Sequence, residues 1–264
     1  MLRIGAVSYL NTRPLVYGLR ERLEGLGSLT LDLPSRLADD LANGDLDVAL
    51  IPSIEYLRGT GAQIVSDAVI ACRGPVWSVR LLSRVPIANI RRLALDEGSR
   101  TSAALVRLLL ADQYDLHPET IPLPMETDPE SVDADAVLLI GDRAMPPPTG
   151  VYQEIWDLGD RWCQWSGHPF VFAMWIAREG IDAQPLAKIL AAARDEGVQN
   201  LESIAQQEAG SHGLTSNDLH HYFTDNLHFR LGPQERQGLH IYQQRASELG
   251  LISQAREFHF CSAS

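Results

Sequence analysis

A chain of 264 residues with 45% hydrophobic and 21% charged residues is long enough for one large domain or for two lobes of roughly 100 residues each. Its net charge of -12 repels phosphate backbones and anionic lipid heads, so neither nucleic acid nor a membrane surface is an expected partner, and an anionic ligand must be captured by local donors. Cys72, Cys163 and Cys261 are odd in number and far apart, which fits a reducing compartment and shows neither a disulfide framework nor paired zinc-ligand spacing.

Met1 to Val7 runs straight into a strand with no basic segment, apolar stretch or cleavage site ahead of it, which predicts a cytoplasmic protein. No window reaches the ~18 consecutive apolar residues of a membrane-spanning helix. Ile4 to Ser8 is the first buried strand. A helix from Thr12, with Pro14 in its first turn, offers Leu15, Leu19 and Leu23 as its inward stripe. Leu29 to Leu33 reads as the second strand, followed by a helix capped by Ser35 that carries Leu37 and Leu41 and stops at Asn43-Gly44. Val48 to Ile51 is the third strand and runs into Pro52-Ser53, which open a short helix.

This alternation predicts a mainly parallel sheet covered on both faces. From Ala68 to Ser83 the pattern turns to extended segments broken by Gly74-Pro75, the approach to a crossover. A second strand–helix series follows: strand Leu93 to Leu95, helix Ser99 to about Ala111, strands Ile121 to Leu123 and Ala136 to Ile140. Met125 to Asp135 is loop-like and Pro146-Pro147-Pro148 a surface connection. Phe170 to Ala177 is the strand that returns to the first lobe, and helices from Asp182, around Leu219 to Phe223, and from Pro233 to Leu249 are expected to pack there. Lobe one is expected over 1–84 and 172–264 and lobe two over 85–171, joined by two crossovers, the arrangement of hinged binding-protein folds that hold ligands between lobes.

Three loops follow strands and open helices, where free N–H groups and the positive helix end attract carboxylates. In the first, Tyr9 and Asn11 follow the first strand; Asn11 offers a donor and an acceptor, or stabilises the turn. In the second, Ser99, Arg100, Thr101 and Ser102 head the lobe-two helix as an anion nest, or Ser99 is an ordinary cap. In the third, Gly141 permits close backbone approach, and Asp142 faces the cleft or caps the helix that follows. Ser53 and Ser78 add hydroxyls near the crossover edge. Candidate catalytic residues are Asn11 and, in reserve for acid–base work, Asp142; candidate substrate-binding residues are Tyr9, Ser53, Ser78, Ser99, Arg100, Thr101, Ser102 and Gly141. No metal site is expected, since no H-E-x-x-H or H-x₃-H spacing occurs. Gly59-Thr60-Gly61 lacks the third glycine of a dinucleotide loop, and there is no G-x-S-x-G elbow.

Several stretches together resemble one family: Gly5-x-Val7-Ser8-Tyr9-Leu10-Asn11 with Pro14-Leu15, Pro34-Ser35-Arg36-Leu37, Asp47 to Ser53, Gly74-Pro75-Val76-x-Ser78-Val79, Leu95-Asp96 with Ser99 to Ser102, Leu139 to Asp142, and Pro169 to Ala173. In this order they resemble the chorismate dehydratases of the futalosine route to menaquinone, over about residues 4 to 178; the C-terminal helices add little. One departure is Ser166-Gly167-His168, where the family pattern is expected to read Thr-Gly-Leu.

The resemblance implies an α/β, type II periplasmic-binding-protein-like fold that closes like a flytrap on chorismate. It implies a lyase that releases 3-[(1-carboxyvinyl)oxy]benzoate and water, without a cofactor, as a monomer or homodimer. With no histidine on a cleft motif, the substrate's own enolpyruvyl carboxylate is the expected base, with Asn11 fixing that group or the departing hydroxyl. The main rival is a small-anion solute-binding protein without catalysis, because fold does not fix function.

Overall fold

The computed structural model describes residues 1–261 and sorts the strands into two sheets. The chain runs β1 (Leu2–Val7), α1 (Arg13–Val16), α2 (Leu19–Arg22), β2 (Gly27–Asp32), α3 (Pro34–Asn43), β3 (Val48–Pro52), α4 (Ser53–Arg58) and β4 (Gln63–Cys72). It then crosses to β5 (Val79–Ser83), β6 (Arg92–Asp96), α5 (Arg100–Tyr114), β7 (Glu119–Leu123), β8 (Ala136–Ile140), β9 (Glu154–Asp157) and α6 (Leu158–Ser166). It returns through β10 (Phe170–Ala177) to α7 (Gln184–Gln199), α8 (Leu201–Glu208), α9 (Ser216–His221), a π-helical turn (Tyr222–Asn226), β11 (His228–Arg230) and α10 (Pro233–Glu248).

The first sheet has the order β11-β4-β10-β3-β1-β2 and the second β7-β6-β8-β5-β9. Among the named strands parallel pairing is confined to β2-β1-β3 and to β7-β6-β8. The crossing strands β5 and β10 are antiparallel to both their neighbours, so each sheet is mixed rather than mainly parallel. The hydrophobic run from Val76 reads the same whichever sheet takes it, but Val79 pairs with Ile140 and Ser83 with Ala136. The first crossover therefore lies at 73–78, ahead of the expected boundary at 84/85, and the second at 167–169, ahead of 171/172. Residues 262–264 of the expected first lobe lie outside the described residues.

The helix expected from Thr12 to Leu23 is broken, because Gly18 takes a left-handed φ of 60° and starts a new turn there. The helix expected to be capped by Ser35 begins two residues earlier, with Pro34 at its first turn and Leu33 as the cap residue. Its inner face, Leu37, Ala38 and Leu41, is buried and packs over β1 and β3. Beyond the sequence expectation, α10 reaches both lobes: it packs on β10 and α5, and Tyr242 donates to the Thr101 carbonyl at 3.1 Å while Arg245 pairs with Asp112. Among the described residues no helix is long and apolar enough to cross a membrane.

The first crossover is fastened to the start of α6 by one carboxylate. Asp157 caps α6 by accepting the Asp160 N–H at 3.1 Å, and it also accepts the N–H groups of Val76 at 2.9 Å and Trp77 at 2.6 Å. Trp77 needs that support, since its φ of 61° lies in the left-handed region that bulky residues avoid. Asp157→Ala leaves three N–H groups without their acceptor and removes a helix cap, and is expected to lower unfolding stability by about 3 kcal/mol. Urea denaturation measures it, and a loss below about 0.5 kcal/mol contradicts the assignment.

Candidate active site

The two sheets meet over a cavity of about 40 Å³, which at ~10–15 Å³ per water centre is room for a few waters. Lobe one supplies Tyr9, Asn11, Pro34, Pro52 and Ile70; the first crossover supplies Val76, Ser78 and Val79. Lobe two supplies Ser99, Ser102, Ile140 and Gly141, and the return strand Phe172 and Ala173. Among the described residues no carboxylate, imidazole, amine or guanidinium lines the cavity. Its polar character comes from hydroxyls, one amide and the free N–H groups where α5 begins.

Six of the ten predicted site residues, Tyr9, Asn11, Ser78, Ser99, Ser102 and Gly141, meet at this wall. Ser99 is also the helix cap: its Oγ accepts the Ser102 N–H at 3.2 Å and lies 2.9 Å from Ser102 Oγ. Gly141 has a φ of 63°, and a Cβ there would sit 3.0 Å from the Tyr9 ring. A Cβ on Gly98 would sit 2.6 Å from the Tyr9 hydroxyl. Both glycines thus let the lobe-one tyrosine seat against lobe two. Burial pushes the Tyr9 phenol above its ordinary range, reinforced by Asp96 and Asp142, so it is no base at neutral pH.

The other four stand away from the cavity, at the seam between lobes. Ser53 donates to the Val171 carbonyl of its own lobe at 2.7 Å, with its Oγ 3.4 Å from Thr101 Oγ1 of the other, and Thr101 Oγ1 accepts the Ile54 N–H at 3.2 Å. Arg100 pairs with Asp39 at 2.8 Å and Glu55 at 3.3 Å. Asp142 accepts the Leu10 N–H at 3.1 Å and lies 3.6 Å from His212 Nε2; burial raises its carboxyl above the ordinary range, against the Leu10 N–H. These groups are occupied in holding lobe two to lobe one. His168 turns back onto its own loop, Nδ1 lying 2.7 Å from the Ser166 carbonyl.

Sequence reasoning missed Tyr222, Asp96 and Phe172. The Tyr222 hydroxyl, on the π-helical turn, donates to Ser78 Oγ at 2.8 Å. Asp96 ends β6 behind the Ser99 loop; its Oδ1 accepts the Gly98 N–H at 2.9 Å. Arg143 Nη1 lies 3.4 Å from Oδ2 but out of line, so that oxygen is buried without a donor. Burial pushes the Asp96 carboxyl up to about 6, outweighing the Gly98 N–H and Arg143. Its place in the quoted Leu95-Asp96 motif was the only signal available.

The family model for menaquinone biosynthesis matches residues 2–248. The chain is 32% identical to the chorismate dehydratase of Thermus thermophilus over 94% of its own length and 95% of that protein's. Among solved structures, a protein of Archaeoglobus fulgidus superposes with a TM-score of 0.69 at 15% identity, covering 95% of this chain and 98% of that one. The periplasmic aliphatic sulphonate binding protein of Escherichia coli superposes with a TM-score of 0.61 at 16% identity, covering 96% and 94%. The fold is that of type II periplasmic binding proteins.

The position of Asp96 generates a pH prediction. A carboxyl raised from about 4 in the unfolded chain to about 6 in the folded one binds its proton more tightly when folded. Stability is then greatest below about pH 4, falls as pH rises to about 6, and above that carries the full cost of about 3 kcal/mol. Asp96→Asn is expected to be more stable than the parent at pH 7.5, with the difference vanishing near pH 4; denaturant unfolding at both values checks it. Equal destabilisation at both contradicts it.

Proposed function

The chain belongs to the menaquinone biosynthesis family, and from that premise we propose that it removes water from chorismate to give 3-[(1-carboxyvinyl)oxy]benzoate, the first step of the futalosine route. The observation that carries the reading is a cavity between the two sheets that offers hydroxyl and amide donors and, among the described residues, no side chain that is a base at neutral pH. Chorismate carries two carboxylates, and the wall offers two sets of donors: Asn11 and Ser78 on one side, the start of α5 with Ser99 and Ser102 on the other. The likeness of the chain to a curated chorismate dehydratase supports the same substrate.

The chemistry asks for little push. The ring proton beside the ether oxygen is acidified by conjugation with the ring carboxylate, and loss of the neighbouring hydroxyl yields an aromatic ring. The enolpyruvyl carboxylate of the substrate itself takes the proton and hands it to the departing hydroxyl, which leaves as water, so the carboxylate is regenerated and the step is redox-neutral. Asn11 holds the carboxylate or the departing hydroxyl, and enclosure prevents water from competing. Asp142, outside the cavity wall, serves as an inter-lobe anchor in this reading rather than as an acid or base. A cavity of about 40 Å³ requires the lobes to part for a ten-carbon acid to enter. The same reading puts the protein in the cytoplasm, where its free cysteines stay reduced.

Incubation with chorismate, followed by absorbance and mass, is expected to yield the aromatic product; recovery of unchanged chorismate from folded protein favours a solute receptor instead. Asn11→Ala is expected to lower turnover by about 100-fold or more while ligand binding changes by only a few-fold. Full activity in that variant removes Asn11 from the mechanism.

A further inference from the structure

Tyr222 and Ser78 form a short relay whose proton direction is fixed by its members, and beside it Thr12 bonds Asn11. Thr12, fully buried, donates its hydroxyl to Asn11 Oδ1 at 3.2 Å. That bond takes one of the two lone pairs of the amide oxygen. Tyr222 has a single proton and gives it to Ser78 Oγ at 2.8 Å. Ser78 has no other side-chain partner among the described residues, so its own proton is left for the cavity.

The placement of Tyr222 is built in. It opens a π-helical turn, Tyr222–Asn226, a form found mostly where a side chain must be re-aimed, often at functional sites. The turn is fastened to the first crossover by Asn226, whose Nδ2 donates to the Pro75 carbonyl at 3.0 Å. The Tyr222 ring is met edge-on by Trp77, centroids 5.6 Å apart and planes at 78°, and the residue is 1% exposed. A phenol so enclosed keeps its proton and acts only as a donor toward Ser78.

We propose that Tyr222 is a positioning residue that polarises this relay, so that Ser78 faces the ligand as a donor and the cavity selects a carboxylate without a cationic side chain. A chain of net charge -12 attracts no anion by its overall field, so selection falls on donors aimed in a nearly dry slot, where hydrogen bonds to an ionised acceptor are the strong ones. The inference deepens the dehydratase reading and rests on it for the identity of the natural ligand, but the relay is testable with simpler molecules.

The test compares binding of isophthalate and of its neutral diamide, by calorimetry, to the parent, Tyr222→Phe, Ser78→Ala and the double variant. The parent is expected to prefer the diacid. Tyr222→Phe keeps the ring packing and frees Ser78 to turn its proton inward; the diacid is expected to bind about 10-fold more weakly with the diamide unchanged. With chorismate, KM is expected to rise more than kcat falls. In the Ser78→Ala background the added effect of Tyr222→Phe is expected to shrink below about two-fold. The proposal is overturned if the parent shows no preference for the diacid, if Tyr222→Phe retains it or weakens both ligands alike, or if the effect persists undiminished without Ser78. Absence of chorismate turnover, with the diacid preference present and lost in Tyr222→Phe, contradicts the dehydratase reading alone.

Discussion

Water has almost no room between the two sheets, and every polar group brought to that seam must therefore find its partner in protein or ligand. Asp157 gathers the N–H groups of the first crossover and of the α6 start, Asp142 takes the Leu10 N–H across the gap, and Ser53, Thr101 and Tyr242 close the far side. What remains lines the cavity: the Asn11 amide, the Ser78 hydroxyl and the start of α5 at Ser99 and Ser102. A site left with donors after the scaffold is satisfied is suited to a guest that brings acceptors. Asp96 is the exception, a buried carboxylate oxygen without a donor, and it lowers stability at neutral pH beneath the loop that presents Ser99.

Much of this was legible in the chain because the informative residues sit where a strand ends and a helix begins. Asn11 follows β1, Ser99 caps α5 and Gly141 ends β8, and in each case local pattern sufficed to place the residue near the carboxyl ends of strands, where such sheets bind ligands. Thr101 and Ser102 show the limit. Neighbours on a helix point about 100° apart, so Ser102 faces the cavity and Thr101 faces α4, and only the packing of α5 against lobe one decides which. Arg100 is likewise drawn to Asp39 and Glu55, partners separated from it by more than forty positions in the chain.

Tyr222 was beyond reach for a different reason. It stands 144 positions from the serine it holds, on a π-helical turn that has no hydrophobic period of its own, in a region where the pattern spoke only of helices. Strand β9 is four residues long and too short for alternation to register, so Asp157 and the helix it caps went unread with it. The first crossover was displaced because an apolar run fits the end of one sheet as well as the middle of another; pairing with β8 settles that choice.

The fold alone serves receptors as well as enzymes, and in the proposed mechanism what separates the two is the content of the slot: donors without a base, for a substrate that carries its own. The measurement that bears most directly on this is a crystal structure with 3-[(1-carboxyvinyl)oxy]benzoate bound. One carboxylate is predicted to lie about 3 Å from Ser78 Oγ and the Asn11 amide nitrogen, and the other at the first turn of α5. A ligand seated outside the inter-lobe gap, or with its carboxylates turned away from both sets of donors, would contradict the account.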